Sequence, residues 1–514
     1  MNVSQTPVET ELKLLVPSRS IRRLGAHPLL RGRGHAVRRK LYSIYFDTPN
    51  LDLWRQGVAL RLRREGRRWV QTVKAGGSVH GGLHRRIEAE AEVTGPVPDF
   101  SRIRDRGLAG TFASRRLRAQ LKPVFTTDFT RDSTLLELAA GTRVEASVDH
   151  GVIRSGKRVE GVSEIELELK AGAPHRLYDL ALKLAQDVPL SIGDRSKAAR
   201  GYTLARGTPE LPVKARPAVL DRGMSVSGAF LVMMWANLAH LQANERGMLA
   251  GRDPEYLHQM RVALRRMRLA IGVFAPLFPE TMISPARSEL KWLAGSLGPA
   301  RDWDVFMTET LPPVEAAFGV NGGLKGFTVR CENLRRAANA RARRAVRLPR
   351  FRHLMLSLSA WLSSERWLTR SDPAARSSFR GAVATFASAV LEQRYAQVRK
   401  RGRKLGGLSA AELHRLRIAV KKFRYAVDFF AGLYKARPAR DMLKRLARLQ
   451  DILGAMNDAA TVAKLLAHGF DGAPGRSVIE AKGILLGWSR GRAATLKREL
   501  KGAWKEFRAA EKFW

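Results

Sequence analysis

The stretch Val8 to Val16, VETELKLLV, sets charged and apolar side chains on alternate residues. A period of two is the period of a β-strand, so Glu9, Glu11 and Lys13 project to one side while Val8, Leu12 and Leu14 project to the other. Five further stretches repeat the pattern: VALRLRR with Arg61 and Arg63, QTVK with Thr72 and Lys74, RIEAEAEV with Arg86, Glu88, Glu90 and Glu92, VEASVDHG with Glu145, Ser147 and Asp149, and EIELELK with Glu164, Glu166, Glu168 and Lys170. One such strand is satisfied by a sheet with a wet face. The set is harder to satisfy. Carboxylates two residues apart stand about 7 Å from each other, and at an effective dielectric near 20 each like-charge pair costs about 2.4 kcal/mol. In open water that cost nearly vanishes. In a sheet closed into a barrel with its charged faces inward, the glutamates require cations and the Arg/Lys set requires anions, a double demand that a metal-bound polyphosphate meets.

Beyond residue 208 the pattern changes. GTPELPVKARPAV (207–219) carries three prolines, which disfavour regular structure, and long Ala/Leu/Arg-rich stretches of helical period follow from about residue 224. The expected organisation is a first domain at 1–208, a linker at 209–223 and a helical domain at 224–512. The helical part is internally duplicated. HQMRVALRRMR from His258 returns as HRLRIAVKKFR from His414, an offset of 156 that also carries Leu297-Gly298 and Asp302 onto Leu453-Gly454 and Asp458, and Phe230 onto Phe386. Two similar halves, about 224–375 and 380–512, follow from it. Asp302 and Asp458 read as structural residues at a turn before a helix.

The duplicated segment places His258, Arg261, Arg265 and Arg268 at offsets 0, 3, 7 and 10, a stripe about 80° wide on an α-helix. His414, Arg417, Lys421 and Arg424 form the same stripe, with Arg266 and Lys422 standing beside the two. A groove lined by both would bind a long flexible polyanion by counterion release. Composition agrees: 91 Lys and Arg against 47 Asp and Glu give a net charge of +44, of which +16 falls up to residue 217 and +28 beyond it. Such a charge favours nucleic acid, polyphosphate or an anionic membrane. The basic stripes lack interleaved aromatics and show no helix-turn-helix or RNA-binding signature, so sequence-specific nucleic-acid binding is not expected. GAFLVMMWANLAHL (228–241) is shorter than the roughly 20 residues that cross a bilayer, so membrane insertion is not expected either. Cys331 is the single cysteine. It excludes an intramolecular disulfide and, with no basic-then-apolar leader visible, a cytoplasmic location is expected. His80, His84 and His150 read as loop residues rather than metal ligands.

The Glu9-x-Glu11-x-Lys13 signature, YFDTP (45–49), GVALRLR (57–63), QTVKAG (71–76), Glu88 with Glu90, SEIELELK (163–170) and SKAARGY (196–202), in that order, resemble the CYTH or triphosphate tunnel metalloenzyme superfamily. The resemblance covers about residues 5–206. It implies an eight-stranded antiparallel β-barrel forming a tunnel, and hydrolysis of inorganic triphosphate with Mg²⁺ or Mn²⁺. Lys13, Arg61, Arg63, Lys74, Arg131, Arg143 and Lys197 would then grip phosphate, with Arg86 a further candidate whose register beside Arg85 is open. Glu9, Glu11, Glu88, Glu90, Glu166 and Glu168 would hold metal, with Asp149 and Glu164 as additions; Glu9, Glu11, Lys13 and Lys74 form the expected catalytic set. Residues 224–512 are similar to the CHAD domain, a helical domain associated with polyphosphate binding, which implies an all-α fold of two pseudo-symmetric four-helix halves and association with polyphosphate granules. The alternatives are a non-catalytic polyphosphate-binding protein, or an enzyme of the same barrel acting on thiamine triphosphate, RNA 5′-phosphates or ATP. The sequence leaves the oligomeric state open.

Overall fold

The computed structural model describes residues 8–32, 36–208, 210–251, 253–319, 322–469 and 476–514. Two compact units emerge, Met1–Leu211 with Leu348–Glu365, and Pro212–Arg347 with Arg366–Trp514.

In the first unit, β1 (Val8–Leu15), β2 (Val37–Asp47), β3 (Val58–Glu65), β4 (Arg68–His80), β5 (Leu83–Val93), β6 (Lys122–Leu138), β7 (Thr142–Ser155) and β8 (Arg158–Ala171) pair antiparallel. They close in the ring order β1, β5, β4, β3, β2, β6, β7, β8 and back to β1, while the two-residue β9 (Ser191–Ile192) lies against Leu14 and Leu15 of β1. Closure removes the open edges that would otherwise invite aggregation. The apolar side of each strand is the outside of the barrel. Leu12, Leu14, Val144, Ile165 and Leu167 pack under Leu177, Tyr178, Leu180 and Leu184 of α1 (His175–Asp187). Leu60, Leu62, Val73 and Val93 pack under Ile103, Leu108 and Phe112 of the connection between β5 and β6. Burying each such side chain contributes roughly 1.5–3 kcal/mol, and a one-residue slip would bring the charges out and the apolar face in. Burial outside therefore fixes the charged face inside. α2 (Lys197–Arg206), capped by Ser196, follows β9.

The second unit contains α3 (Val226–Ala250), α4 (Pro254–Phe274), α5 (Glu280–Val305) and α6 (Gly322–Arg347), then α8 (Val383–Arg401), α9 (Ala410–Phe430), α10 (Ala436–Gly469) and α11 (Arg476–Arg508). Between these two sets of four comes α7 (Pro349–Ser364). α4 and α9 are each 21 residues long and each runs into a short 3₁₀ turn. The halves meet reciprocally at the starts of α3 and α8. Val226 N–H donates to the Gly381 carbonyl and Val383 N–H to the Met224 carbonyl, both at 3.0 Å. Phe274 stacks on Phe386 with ring centroids 5.0 Å apart, and Phe230 packs on Phe274 as Phe386 packs on Phe430. The duplication thus appears as a pseudo-symmetric core.

Two features depart from the sequence reading. α7 lies inside the stretch expected to form the first helical half, yet it packs on α1 in the barrel unit, with Leu356 fully buried among the residues that back β1 and β8. Asp302 does not stand at a turn. It lies inside α5, which continues through Pro285 and Pro299, while the side chain of Asp458 lies outside the described residues.

Candidate active site

Strand register decides which charges meet. Across β1 and β8, Lys13 stands opposite Glu166 and Glu11 opposite Glu168. β7 places Ser147 opposite Glu166 and Asp149 opposite Glu164, and β6 places Arg131 opposite Asp149. On the other wall Arg61, Thr72 and Glu90 form a row across β3, β4 and β5, Lys74 faces Glu88, and Glu9 faces Arg86. Lys13 is clamped through its backbone: its N–H donates to the Gly82 carbonyl at 3.0 Å, and its carbonyl accepts from Gly193 N–H at 2.8 Å. Gly82 sits at φ +81°, and a Cβ there would lie 2.6 Å from Ile192, so the turn that clamps Lys13 requires glycine.

The inner ends of these side chains enclose a cavity of about 1540 Å³. Among the described residues eleven Lys and Arg and ten Asp and Glu line it. At its buried end Lys197, from the first turn of α2, puts its ammonium 2.6 Å from Asp149, 2.5 Å from Glu164 and 3.0 Å from Glu166. Arg131 makes a two-pronged pair with Asp149 at 2.7 Å for each prong and also bonds Glu166. Lys13 bonds Glu166 and lies 2.7 Å from Glu11. Burial opposes the charges on Lys13, Arg131, Glu166 and Lys197, but their partners prevail. Glu11 and Glu166 raise the Lys13 pKa, and Lys13, Lys197 and Arg131 hold Glu166 well below the ordinary carboxylate value.

The opposite wall is less well compensated. Lys74 reaches Glu88 at 2.6 Å and Glu9 at 3.2 Å. Burial raises the Glu9 pKa, and a hydrogen bond with Glu88 raises it further while lowering that of Glu88. Arg61 lies 3.1 Å from Thr72 and 3.4 Å from Glu90. The Arg63 guanidinium falls below its ordinary pKa because burial and Arg61 outweigh Glu90 and Glu65. On this wall one ammonium, Lys74, serves both Glu9 and Glu88, and Arg63 lies 2.5 Å from Glu65 and 3.3 Å from Glu90. Oxygen donors suit a hard divalent ion, and the Glu9–Glu88 pair fits one.

Asp149, Glu164 and Glu166 also place carboxylate oxygens within 4.8 Å of one another. Lys197 pairs with all three, so Asp149 and Glu164 anchor this lysine in the structure. Both are buried behind the lining. Glu9, Glu11, Lys13, Arg61, Arg63, Lys74, Glu88, Glu90, Arg131, Glu166, Glu168 and Lys197 all line the cavity, as does Arg86, with Arg85 exposed. Arg143 does not. A register shift between Arg143 and Val144 interrupts the alternation, and its side chain is exposed. The sequence reading missed Arg39, Arg102 and Arg104, which line the cavity, and Arg200, which bonds Glu164 and Glu160 at 2.9 Å. Leu41 breaks the charge alternation around Arg39, whereas SKAARGY carries Arg200 three residues after Lys197, one helical turn on. His84 is no loop residue: it is buried on β5 near Lys13 and bonds the Gly193 carbonyl at 3.1 Å, and burial holds its pKa down to about 4.

In the helical unit the stripes of α4 and α9 approach each other. Lys421 is pushed down to about 8, first by burial and then by Arg265, Arg417, Arg261 and Arg268, and Arg265 lies 3.4 Å from the Tyr425 hydroxyl. Arg261 bonds the Ala294 carbonyl of α5 at 3.2 Å beside Gly298. Burial, with Arg301 next, lowers the His258 pKa. Arg268, His414 and Lys422 are exposed, and Arg424 is half-buried. Arg266 leaves the stripe. It turns into the core, bonds Asn237 at 2.9 Å and Asp428, and stacks over Phe429, because its position falls on the apolar side of α4.

A closed barrel with an ionic interior, joined to a duplicated helical bundle with facing basic stripes, is the class that fold and site define. Residues 8–202 match the CYTH domain and residues 232–467 the CHAD domain. The CHAD domain from the plant Ricinus communis is 31% identical in crystal structure, with a TM-score of 0.52 over 60% of this chain and 100% of that one. The chain therefore belongs to the CHAD-domain family and carries a CYTH domain ahead of it. An inorganic triphosphatase of Haemophilus influenzae is 33% identical over 165 residues, 32% of this chain and 46% of the relative, so the match spans about half of that protein's length. Among the described residues no helix is long and apolar enough to cross a membrane.

Proposed function

We propose that the barrel hydrolyses inorganic triphosphate to diphosphate and phosphate with Mg²⁺ or Mn²⁺, and that the helical unit binds polyphosphate. The observation that carries the first part is the near balance of eleven basic and ten acidic side chains around one cavity. So balanced a wall does not hold a multiply charged anion alone; it holds an anion that brings cations. The name of the Haemophilus influenzae relative supports this reading over others.

Glu9, Glu11, Glu88, Glu90 and Glu168 would hold the ion, which when bound draws charge from the phosphoryl oxygens. Lys13, Arg131 and Lys197 would take one end of the triphosphate, with Arg61, Arg63, Lys74 and Arg86 along its length, the arginines binding in two-pronged fashion and the lysines as point charges. Water attacks the terminal phosphorus in line and gives its proton to a lining carboxylate, the bond to the bridging oxygen breaks, and the basic side chains stabilise the charge left on diphosphate. The helical unit would bind through Arg261, Arg265, Arg268, Arg417, Lys421 and Arg424, flanked by His258, His414 and Lys422. A cytoplasmic location with polyphosphate granules follows from that affinity. Initial rates of phosphate release from tripolyphosphate, thiamine triphosphate, ATP and long-chain polyphosphate test the proposal. Tripolyphosphate is expected to be hydrolysed fastest among the three triphosphates. A faster organic triphosphate would reassign the substrate, and polyphosphate binding without release from any of them would make this a binding protein.

A further inference from the structure

The ionic cavity extends beyond the residues that a triphosphate needs. Lys13 and Lys197 mark its buried end. From Lys13 the wall runs along β1 to Glu9, crosses to Arg86, and continues along β5 to Glu92. The β5 part alone covers seven residues, six steps of 3.3 Å or roughly 20 Å. A triphosphate is about as long as three residues of strand, roughly 10 Å. Past Glu92 the lining passes to Arg102 and Arg104, in the connection between β5 and β6, and Arg39 of β2 also lines the cavity.

The backbone of this outer part is anchored, while the side chains of Arg102 and Arg104 are exposed. Gln71 and Asp99 exchange two hydrogen bonds of 2.8 Å, side chain to backbone. Ile103, between the two arginines, is buried in the apolar cluster over β3 and β4. The neighbouring carboxylates have partners: Glu65 pairs with Arg63 at 2.5 Å, Glu92 with Arg68 at 3.9 Å, and Asp105, beside Arg104, accepts Leu108 N–H at 2.9 Å. Among the described residues Arg39 and Arg104 have no carboxylate within 4.0 Å, and Arg102 has only Asp99 at 3.6 Å. Cations that face a cavity without partners are sites for anionic oxygens. The aromatic residues of the lining, Tyr45 and Phe129, come from the strands and not from this connection, which favours a phosphate chain over a stacked base.

We propose, on the basis of the hydrolase reading, that Arg102 and Arg104 form a distal subsite and that the barrel accepts linear polyphosphates longer than three units, held end-on. The test compares kcat/KM for tripolyphosphate and for long-chain polyphosphate, per chain end, in the full-length protein and in its Arg102→Ala/Arg104→Ala variant. The wild type is expected to prefer the longer chain by about tenfold, chiefly through KM. The variant is expected to bring the ratio near one, and Arg102→Lys/Arg104→Lys to restore part of it. A wild-type ratio near one overturns the subsite. So does a preference that survives in the alanine variant, which would then arise in the helical unit. Release from neither substrate overturns the hydrolase reading itself.

Discussion

Asp47 shows what one buried carboxylate does for this fold. Its oxygens accept backbone N–H groups from Thr48 at 2.7 Å, Leu53 at 2.9 Å and Trp54 at 3.0 Å, so the Asp of the YFDTP motif caps a turn and does not line the cavity. Asp47→Ala leaves two buried donors and one half-buried donor unpaired and is expected to cost about 3 kcal/mol, read as a lower denaturation midpoint with unchanged slope. Lys421 gives a pH prediction of definite sign. Its ammonium loses its proton near pH 8 rather than near 10.5. Affinity of the helical unit for polyphosphate is therefore expected to fall as pH rises from 7 to 9, by about tenfold, and Lys421→Arg to abolish the fall in a binding titration. Without ligand the unfolded chain binds more protons at this residue between pH 8 and 10.5, so the contribution of Lys421 to stability rises with pH across that window. These residue-level features divide by legibility. Alternation told which side of a strand Glu9 or Arg61 occupies, because two-residue periodicity is local. That Lys197 enters the carboxylate trio of Asp149, Glu164 and Glu166 depends on a helix returning to the barrel, which no local pattern records.

At the level of elements, β1 carries three of the proposed active-site residues and owes its position to its neighbours. Gly82 and Gly193 hold Lys13 by its backbone, and α1 and α7 cover the outer face. α7 was not legible as a barrel element, since its apolar positions look like those of any bundle helix and its partner is chosen by long-range packing. Leu356→Ala is expected to destabilise the barrel by about 2–5 kcal/mol. Hydrogen exchange should then quicken in β1 and α1 and stay unchanged in α4 and α9. Protection lost equally from all four would contradict the placement of α7. Arg143 and Arg266 failed as expectations for the same kind of reason. A register shift in β7 and a core-facing position on α4 each altered the direction of one side chain within an element whose type the sequence had already made plain.

For the whole molecule, the charge of +44 falls as +16 up to residue 217 and +28 beyond it; acids and bases nearly balance around the barrel cavity, and along the helical stripes they do not. On the proposed reading the balanced interior takes metal and phosphate together, and the unbalanced stripes take a polyanion. Replacing Arg261, Arg265, Lys421 and Arg424 together with glutamine is expected to weaken long-chain polyphosphate binding and flatten its dependence on salt, with tripolyphosphate turnover retained. The duplication, the change of period near residue 208 and the ionic strands were all readable from the sequence, because each is a repeated pattern. The outer reach of the cavity was not, because Arg102 and Arg104 lie in a connection without period. The most direct test of the central claim is Mg²⁺- or Mn²⁺-dependent phosphate release from tripolyphosphate by the wild type and by Glu9→Gln and Lys13→Met. The wild type is predicted to release phosphate only with the metal, and each variant to lose at least about a hundredfold in kcat/KM. Turnover unchanged in both variants would place the chemistry outside the barrel.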